Sequence, residues 1–382
     1  MRASLILILI FASNLIFSQA LYKKIYSEKL GEDREIKILL PRGYNNKNKK
    51  AYPVIYVFDG DYLFEAVAGN VDYYSYWDTI PDAIVVGVNQ RESREMDCLH
   101  NKENSLPFEQ GADFFEFIGS ELMTYIDDNF KTKLFTVAIG QGITANFINY
   151  YLLKEGTPLF NGYIALSPDF ASDVPDYLQK TLATTEHQVF YYMSTSDKDI
   201  ESIKTNTIEL DRKLKAIENK NFLYAFDKFE NITHYNLPLH AIPNALEKIF
   251  FIYGSISKEE YETIILKLQS SPVDYLIEKY ELIDDFFGIK KDIVPNDIRA
   301  IEAAIEKKEQ PDYYEDLGKY LRKQLPDTLL GHYYLGKYYE AIGQPKKAMK
   351  TYLSAYMLSE VDGYTKEDML DKADTIKAEF GY

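Results

Sequence analysis

The chain has 382 residues, more than one ordinary domain and a natural length for two. A hydrophobic fraction of 46% excludes a disordered chain, and 43 basic against 59 acidic side chains give a net charge of −16. Such a surface repels phosphate backbones, and the longest basic cluster, Lys47 with Lys49 and Lys50, reads as a solvated loop, so nucleic acid is not an expected partner. The single Cys98 rules out an intramolecular disulfide and a Cys-based zinc site.

The first twenty residues read as a signal peptide. Met1-Arg2 is followed by the apolar run LILILIFASNLIF, Leu5 to Phe17, and by the small-x-small site Ser18-Gln19-Ala20. A membrane span needs about 20 apolar residues, so this run is too short, and no later segment is apolar enough. The expectation is a secreted or periplasmic protein without a membrane span once the leader is removed.

Residues 21–255 are expected to form one α/β domain. REIKILLP, YPVIYVFDG, DAIVVGVN, KLFTVAIG, GYIALSPD, HQVFYYMS and FLYAFDKF read as strands. Several are apolar almost throughout, as strands buried on both faces of a mostly parallel sheet must be. Helical stretches such as GADFFEFIGSELMTYIDDNF and ITANFINYYLLKEG alternate with them. This alternation predicts a doubly wound α/β fold.

Residues 256–382 lose the strand signal and become rich in Glu, Lys, Leu and Tyr at helical spacing. Leu335, Gly336, Tyr339, Gly343, Ala348, Tyr352 and Ala355 follow the small/large code of a tetratricopeptide helix pair. His332 and Glu360 depart from that code. A lone repeat cannot bury its own face and must pack on neighbouring helices, here around Asp297–Ile305 and Asp312–Lys323.

The stretch KLFTVAIGQGITANFINYYLLKEG is a strand, a tight turn and a helix. α/β-Hydrolases place their G-x-S-x-G nucleophile elbow at such a turn. Here the five residues are Gly140, Gln141, Gly142, Ile143 and Thr144, so the apex is glycine. Asp59-Gly60-Asp61 ends an earlier strand where an oxyanion-hole loop would begin. Asp197, Asp199 and Glu201 follow a later strand, and His234 precedes the last helix of the domain, giving the order elbow, acid, histidine.

On YPVIYVFDGD, AIVVGVN with Arg91 and Arg94, GADFFEFIGSELMTYIDDNFKTK, VAIGQG, GYIALSPDF and THYNLPL, residues 21–253 resemble an esterase family of α/β-hydrolases. That family includes esterase D, siderophore esterases, feruloyl and acetyl-xylan esterases and mycolyltransferases. The helical tail resembles the tetratricopeptide extension of some secreted bacterial members. The resemblance implies His234 as general base and Asp197 as the acid that orients it, with Asp199 or Glu201 as alternatives. It also implies an oxyanion hole from the Ile143 N–H and one from Gly60 to Tyr62, centred on Asp61. Tyr62, Tyr76, Trp77 and Arg94 are the candidate ligand-binding residues. Gly142 falls on the nucleophile and breaks the family pattern, as does Thr144, where a glycine is usual.

Other readings of the same residues carry less. Gly140 to Ala145 also satisfies G-x-G-x-x-A, the dinucleotide fingerprint, but at least three strands precede it and that motif opens the first βαβ unit. Ser167 and Thr144 read as packing or capping residues, and His240 as structural. No histidine pair has metal-ligand spacing, so neither metal nor cofactor is expected. Three functions follow: an esterase homologue without its nucleophile that binds a small ester or sugar ligand; an ester hydrolase in which His234 activates water; or an interaction protein that meets a protein partner through its helical tail.

Overall fold

The computed structural model describes residues 20–382 apart from 46, 48 and 49, so the expected leader lies outside the described residues except for Ala20. Eight strands pair in one sheet in the order β1-β2-β4-β3-β5-β6-β7-β8. They are β1 (Leu21–Ser27), β2 (Glu32–Leu39), β3 (Tyr52–Val57), β4 (Ile84–Val88), β5 (Thr132–Gln141), β6 (Gly162–Leu166), β7 (Val189–Lys198) and β8 (Phe222–Thr233). β1 pairs antiparallel with β2 and β2 antiparallel with β4, while every later pairing is parallel.

Side chains alternate across the sheet, so each central strand needs apolar residues at every position. Tyr52, Val54, Tyr56 and Phe58 face a core that includes Phe114, Phe117, Phe147, Tyr151 and Leu178 from the flanking helices. Ile55 and Val57, with Val85 of β4 and Val137 and Ile139 of β5 beside them, are buried on the second face. The helices Phe64–Tyr76 and Leu237–Ile249 pack on that second face, where Gly162 lies against Val137 and Ile249. The parallel strands end together at one edge of the sheet, and the turns that leave it carry every residue of the candidate site.

A second compact unit begins at Gly254. Its larger helices are Pro272–Phe287, Pro295–Lys308, Tyr313–Gln324, Leu330–Ala341, Pro345–Ser354 and Lys366–Phe380. Local chemistry sets their ends. Ser257 and Thr365 form capping boxes with Glu260 and Asp368, and prolines open the helices at Pro272, Pro295 and Pro345, where a missing N–H costs nothing. Leu330–Ala341 packs on Pro345–Ser354 through Gly336, where an added Cβ would stand 2.1 Å from the Tyr352 ring. Among the described residues no helix is long and apolar enough to cross a membrane.

The Gly336–Tyr352 contact makes a prediction. Gly336→Val overpacks a filled interface, which typically costs about 1–3 kcal/mol. Urea unfolding of the full chain should therefore show the second unit melting at lower denaturant, and an unchanged midpoint would contradict the packing described.

Candidate functional site

The elbow is present in backbone form. Gly142 follows β5 directly, with φ 60° and ψ −120°, and the short helix Ile143–Phe147 starts at the next residue. Two straps hold the apex against the end of β6: Gly142 N–H donates to Leu166 O at 3.1 Å, and Asp169 N–H donates to Gly142 O at 3.0 Å. Gly140 must be glycine for a different reason, since a Cβ there would lie 2.6 Å from the Thr144 backbone. At Gly142 the space is open, with only Arg94 Nη2 near a Cβ position, at 3.6 Å.

Below the apex sits Asp59, 1% exposed. It accepts from Arg94 Nε at 2.6 Å and Nη2 at 3.0 Å, from Thr144 Oγ1 at 2.6 Å and from Tyr62 OH at 2.9 Å. Arg94 Nη2 also donates to Gln141 O at 2.8 Å. Desolvation works against the Arg94 charge, but hydrogen bonding and Coulombic attraction to Asp59 outweigh it and raise the guanidinium's pKa further. Thr144 is thus explained: its hydroxyl fills the space toward Asp59 and accepts from Gln141 N–H at 2.9 Å.

His234 follows β8, and its carbonyl accepts from Gln141 Nε2 at 2.9 Å, which fastens the histidine loop to the elbow. Its Nδ1 lies 2.8 Å from Asp199 Oδ1 and 2.9 Å from Ser167 Oγ. Asp199 also accepts from Ser167 Oγ at 2.5 Å, Thr195 Oγ1 at 2.8 Å and Ile200 N–H at 2.8 Å. Burial disfavours the charged carboxylate, but these hydrogen bonds, with that from His234, hold the Asp199 carboxyl below its ordinary range. An ionised carboxylate can only accept, so Nδ1 carries a proton on the Asp199 side. Nε2 makes no hydrogen bond to any of the described residues.

The N–H groups of Asp61 and Ile143 also make none among the described residues, whereas Gly60 N–H is used by Val88 O and Tyr62 N–H by Asp59 O. The Asp61 carboxylate turns away to accept from the N–H groups of Gln90 and Arg91, at 2.6 and 2.8 Å.

Three expectations need correction. Asp197 does not reach His234: it is exposed, and its carboxylate accepts from Asn231 N–H at 2.7 Å. The chain leaves β7 at Lys198, and the turn swings Asp199 inward instead. Glu201 is the exposed first residue of the next helix, paired with Lys204 at 2.6 Å. Tyr76 and Trp77 are not beside the apex. The helix Phe64–Tyr76 starts just after the Asp59–Tyr62 turn and runs 13 residues away from it, about 20 Å at 1.5 Å per residue. There Tyr76 meets Trp77 and the Arg42 guanidinium. Ser167, expected only to pack or cap, is fully buried on the His234–Asp199 pair, with a positive φ of 48°. Cys98 is buried, and burial pushes its thiol up, which leaves it inert.

An elbow after β5, an acid after β7 and a histidine after β8 of one mostly parallel sheet define an α/β-hydrolase fold. Residues 27–157 match the family model described as "Putative esterase". A crystal structure of an uncharacterised protein from Capnocytophaga ochracea superposes with a TM-score of 0.82 and 29% identity, covering 94% of this chain and all of the other. An IroE-like serine hydrolase from Shewanella oneidensis gives 0.57 and 21%, over 84% and 99%. The siderophore hydrolase EstB from Aspergillus nidulans gives 0.51 and 14%, over 62% and 95%. No curated protein matches the chain.

The lowered Asp199 carboxyl predicts a pH dependence. Between the folded and unfolded pKa values the unfolded chain binds more protons, so this contribution to stability is present above the ordinary value of 3.8 and lost as pH falls through the lower folded value. Urea unfolding from pH 7 to pH 3 should show Asp199→Asn losing less stability on acidification than the wild type. Equal losses would show that the pair contributes nothing.

Proposed function

We propose that this is an esterase-fold protein acting outside the cytoplasm that binds an ester-related or sugar ligand without the acyl-enzyme route. Gly142 carries the reading. The apex holds the elbow backbone, yet no hydroxyl or thiol stands there to be acylated. Loss of the nucleophile from a Ser-His-Asp triad costs on the order of 10⁶ in kcat and leaves about 10³–10⁴ from the oxyanion hole and binding. What remains here suits recognition: N–H groups of Asp61 and Ile143 without a partner among the described residues, for a carbonyl oxygen, and a histidine loop fastened to the elbow. The Leu5–Phe17 leader pattern supports secretion, and the tetratricopeptide-like code of 335–355 supports a protein partner for the tail.

A second reading rests on the intact His234–Asp199 pair. His234 could act as general base on a water, worth about 10²–10⁴, which suffices only for activated esters.

Both readings are tested by comparing wild type and Gly142→Ser on nitrophenyl acetate and other aryl esters. The expected outcome is a silent wild type and a Gly142→Ser variant that turns over, at a stability loss of about 1–3 kcal/mol from a side chain at positive φ. Wild-type turnover abolished by His234→Ala would establish the water mechanism instead. Wild-type turnover that survives His234→Ala would reject both.

A further inference from the structure

The two edges of the sheet differ. β1 spans 7 residues and carries adjacent lysines, Lys23 and Lys24, which discourage a further strand from pairing with it. β8 spans 12, FLYAFDKFENIT, and pairs on one side only, with β7. A long apolar edge is normally covered or interrupted, because its backbone groups template another strand. Val189 N–H donates to Asn221 O at 2.8 Å, which sets the phase of the β7–β8 ladder. Odd-numbered residues of β8 therefore turn their N–H and C=O groups toward β7, and even-numbered ones turn theirs outward. Among the described residues, no hydrogen bond reaches the outward backbone groups of Tyr224, Phe226 and Lys228. Phe222 N–H is taken by Asn219 O, and after Phe229 the ladder shifts register, with Asn231 at a φ of 59°. The regular open stretch is Leu223 to Phe229, with Phe226 at its middle.

We infer that β8 pairs antiparallel with β8 of a second copy of this chain, about a two-fold axis at Phe226, so that two sheets become one. In such an isologous contact every pairing is made twice. With the axis at Phe226, Tyr224 lies opposite Lys228, Ala225 opposite Asp227 and Leu223 opposite Phe229, and no like charges meet. Moving the axis to Asp227 sets that carboxylate against itself, and moving it to Lys228 does the same with two ammonium groups, both destabilising. Charge also favours the central register. Lys228 is exposed and has no ion pair among the described residues, while Tyr224 OH donates to Asp211 Oδ1 at 2.9 Å. Tyr224 and Lys228 share one face of the strand, so each Lys228 meets the other copy's Tyr224 and Asp211. Lys215 already holds the second Asp211 oxygen at 2.8 Å and lies 5.0 Å from the Phe226 ring. The backbone ladder, with the Phe226 and Leu223–Phe229 contacts, therefore carries most of the association, and Lys228 selects the register.

Sedimentation velocity of the full chain should show a dimer at tens of micromolar. Lys228→Pro removes an outward N–H, which an edge strand tolerates, and should weaken the dimer about tenfold or more, since the symmetric contact loses a hydrogen bond on each side. Lys228→Glu, which sets a carboxylate toward the other copy's Asp211, should also weaken it, and decides the matter if the proline variant does not fold. Far-UV circular dichroism shows which variants keep the native fold. The register has its own test. Leu223 and Phe229 form a non-hydrogen-bonded pair, with Cα atoms about 4.5 Å apart, within disulfide reach. Under mild oxidation, Leu223→Cys mixed with Phe229→Cys should cross-link, and neither should do so alone; Cys98 is buried and does not compete. A monomeric wild type, a dimer that a folded Lys228 variant leaves unchanged, a mixture that does not cross-link, or a single cysteine variant that cross-links with itself would overturn the inference.

Discussion

A single buried carboxylate holds the site together. Asp59 lies just past β3 at a positive φ of 56° and binds Arg94 from the segment after β4, Thr144 from the elbow helix and Tyr62 from its own turn. Arg94 then reaches the elbow carbonyl of Gln141, so three separate turns share one charge pair. Removing one partner from such a buried pair typically costs about 3–5 kcal/mol, because the other charge is left uncompensated. The elbow is thus supported from beneath by ionic and hydroxyl contacts, none of which involve the apex side chain. These contacts do not depend on a side chain at position 142.

Backbone strain is distributed unevenly around the site. Gly142 adopts its dihedrals without a Cβ penalty. Asp59 and Ser167, by contrast, keep positive φ with a side chain attached, each costing of order 1–3 kcal/mol. Strain is therefore retained where it positions the carboxylate beneath the elbow and the hydroxyl beside His234. The apex itself is relaxed. That distribution describes a scaffold that still orients a histidine on a buried carboxylate.

Much of this architecture is legible in the sequence. The strands from β3 to β7 announce themselves because burial on both faces requires continuous apolar runs such as YPVIYV and VFYYMS. β1 does not: in LYKKIYS only Ser27 is buried, and the strand is set by antiparallel pairing with β2, a tertiary contact with no local pattern. The strand–turn–helix form of the elbow was readable from its place at a strand end. The acid was not, since Asp197 and Asp199 have the same parity along β7 and only the turn after Lys198 separates them. Ser167 was hidden for a similar reason, because its direction depends on one positive φ at the end of β6. The distance of Tyr76 and Trp77 from the elbow follows from helix length alone, since about three and a half helical turns separate Tyr76 from the Asp59–Tyr62 turn.

The far end of that helix has an optical consequence. The chain's only tryptophan, Trp77, is 64% exposed there, while Tyr56, Tyr151, Tyr163 and Tyr191 are buried in the sheet and its helices, where desolvation pushes their phenols well above the usual range. Indole emission therefore reports on the solvated tip of one helix, while the tyrosinate absorbance of these four phenols appears only once water has entered the core. The two signals will separate whenever the rim of the α/β unit loosens before its interior does.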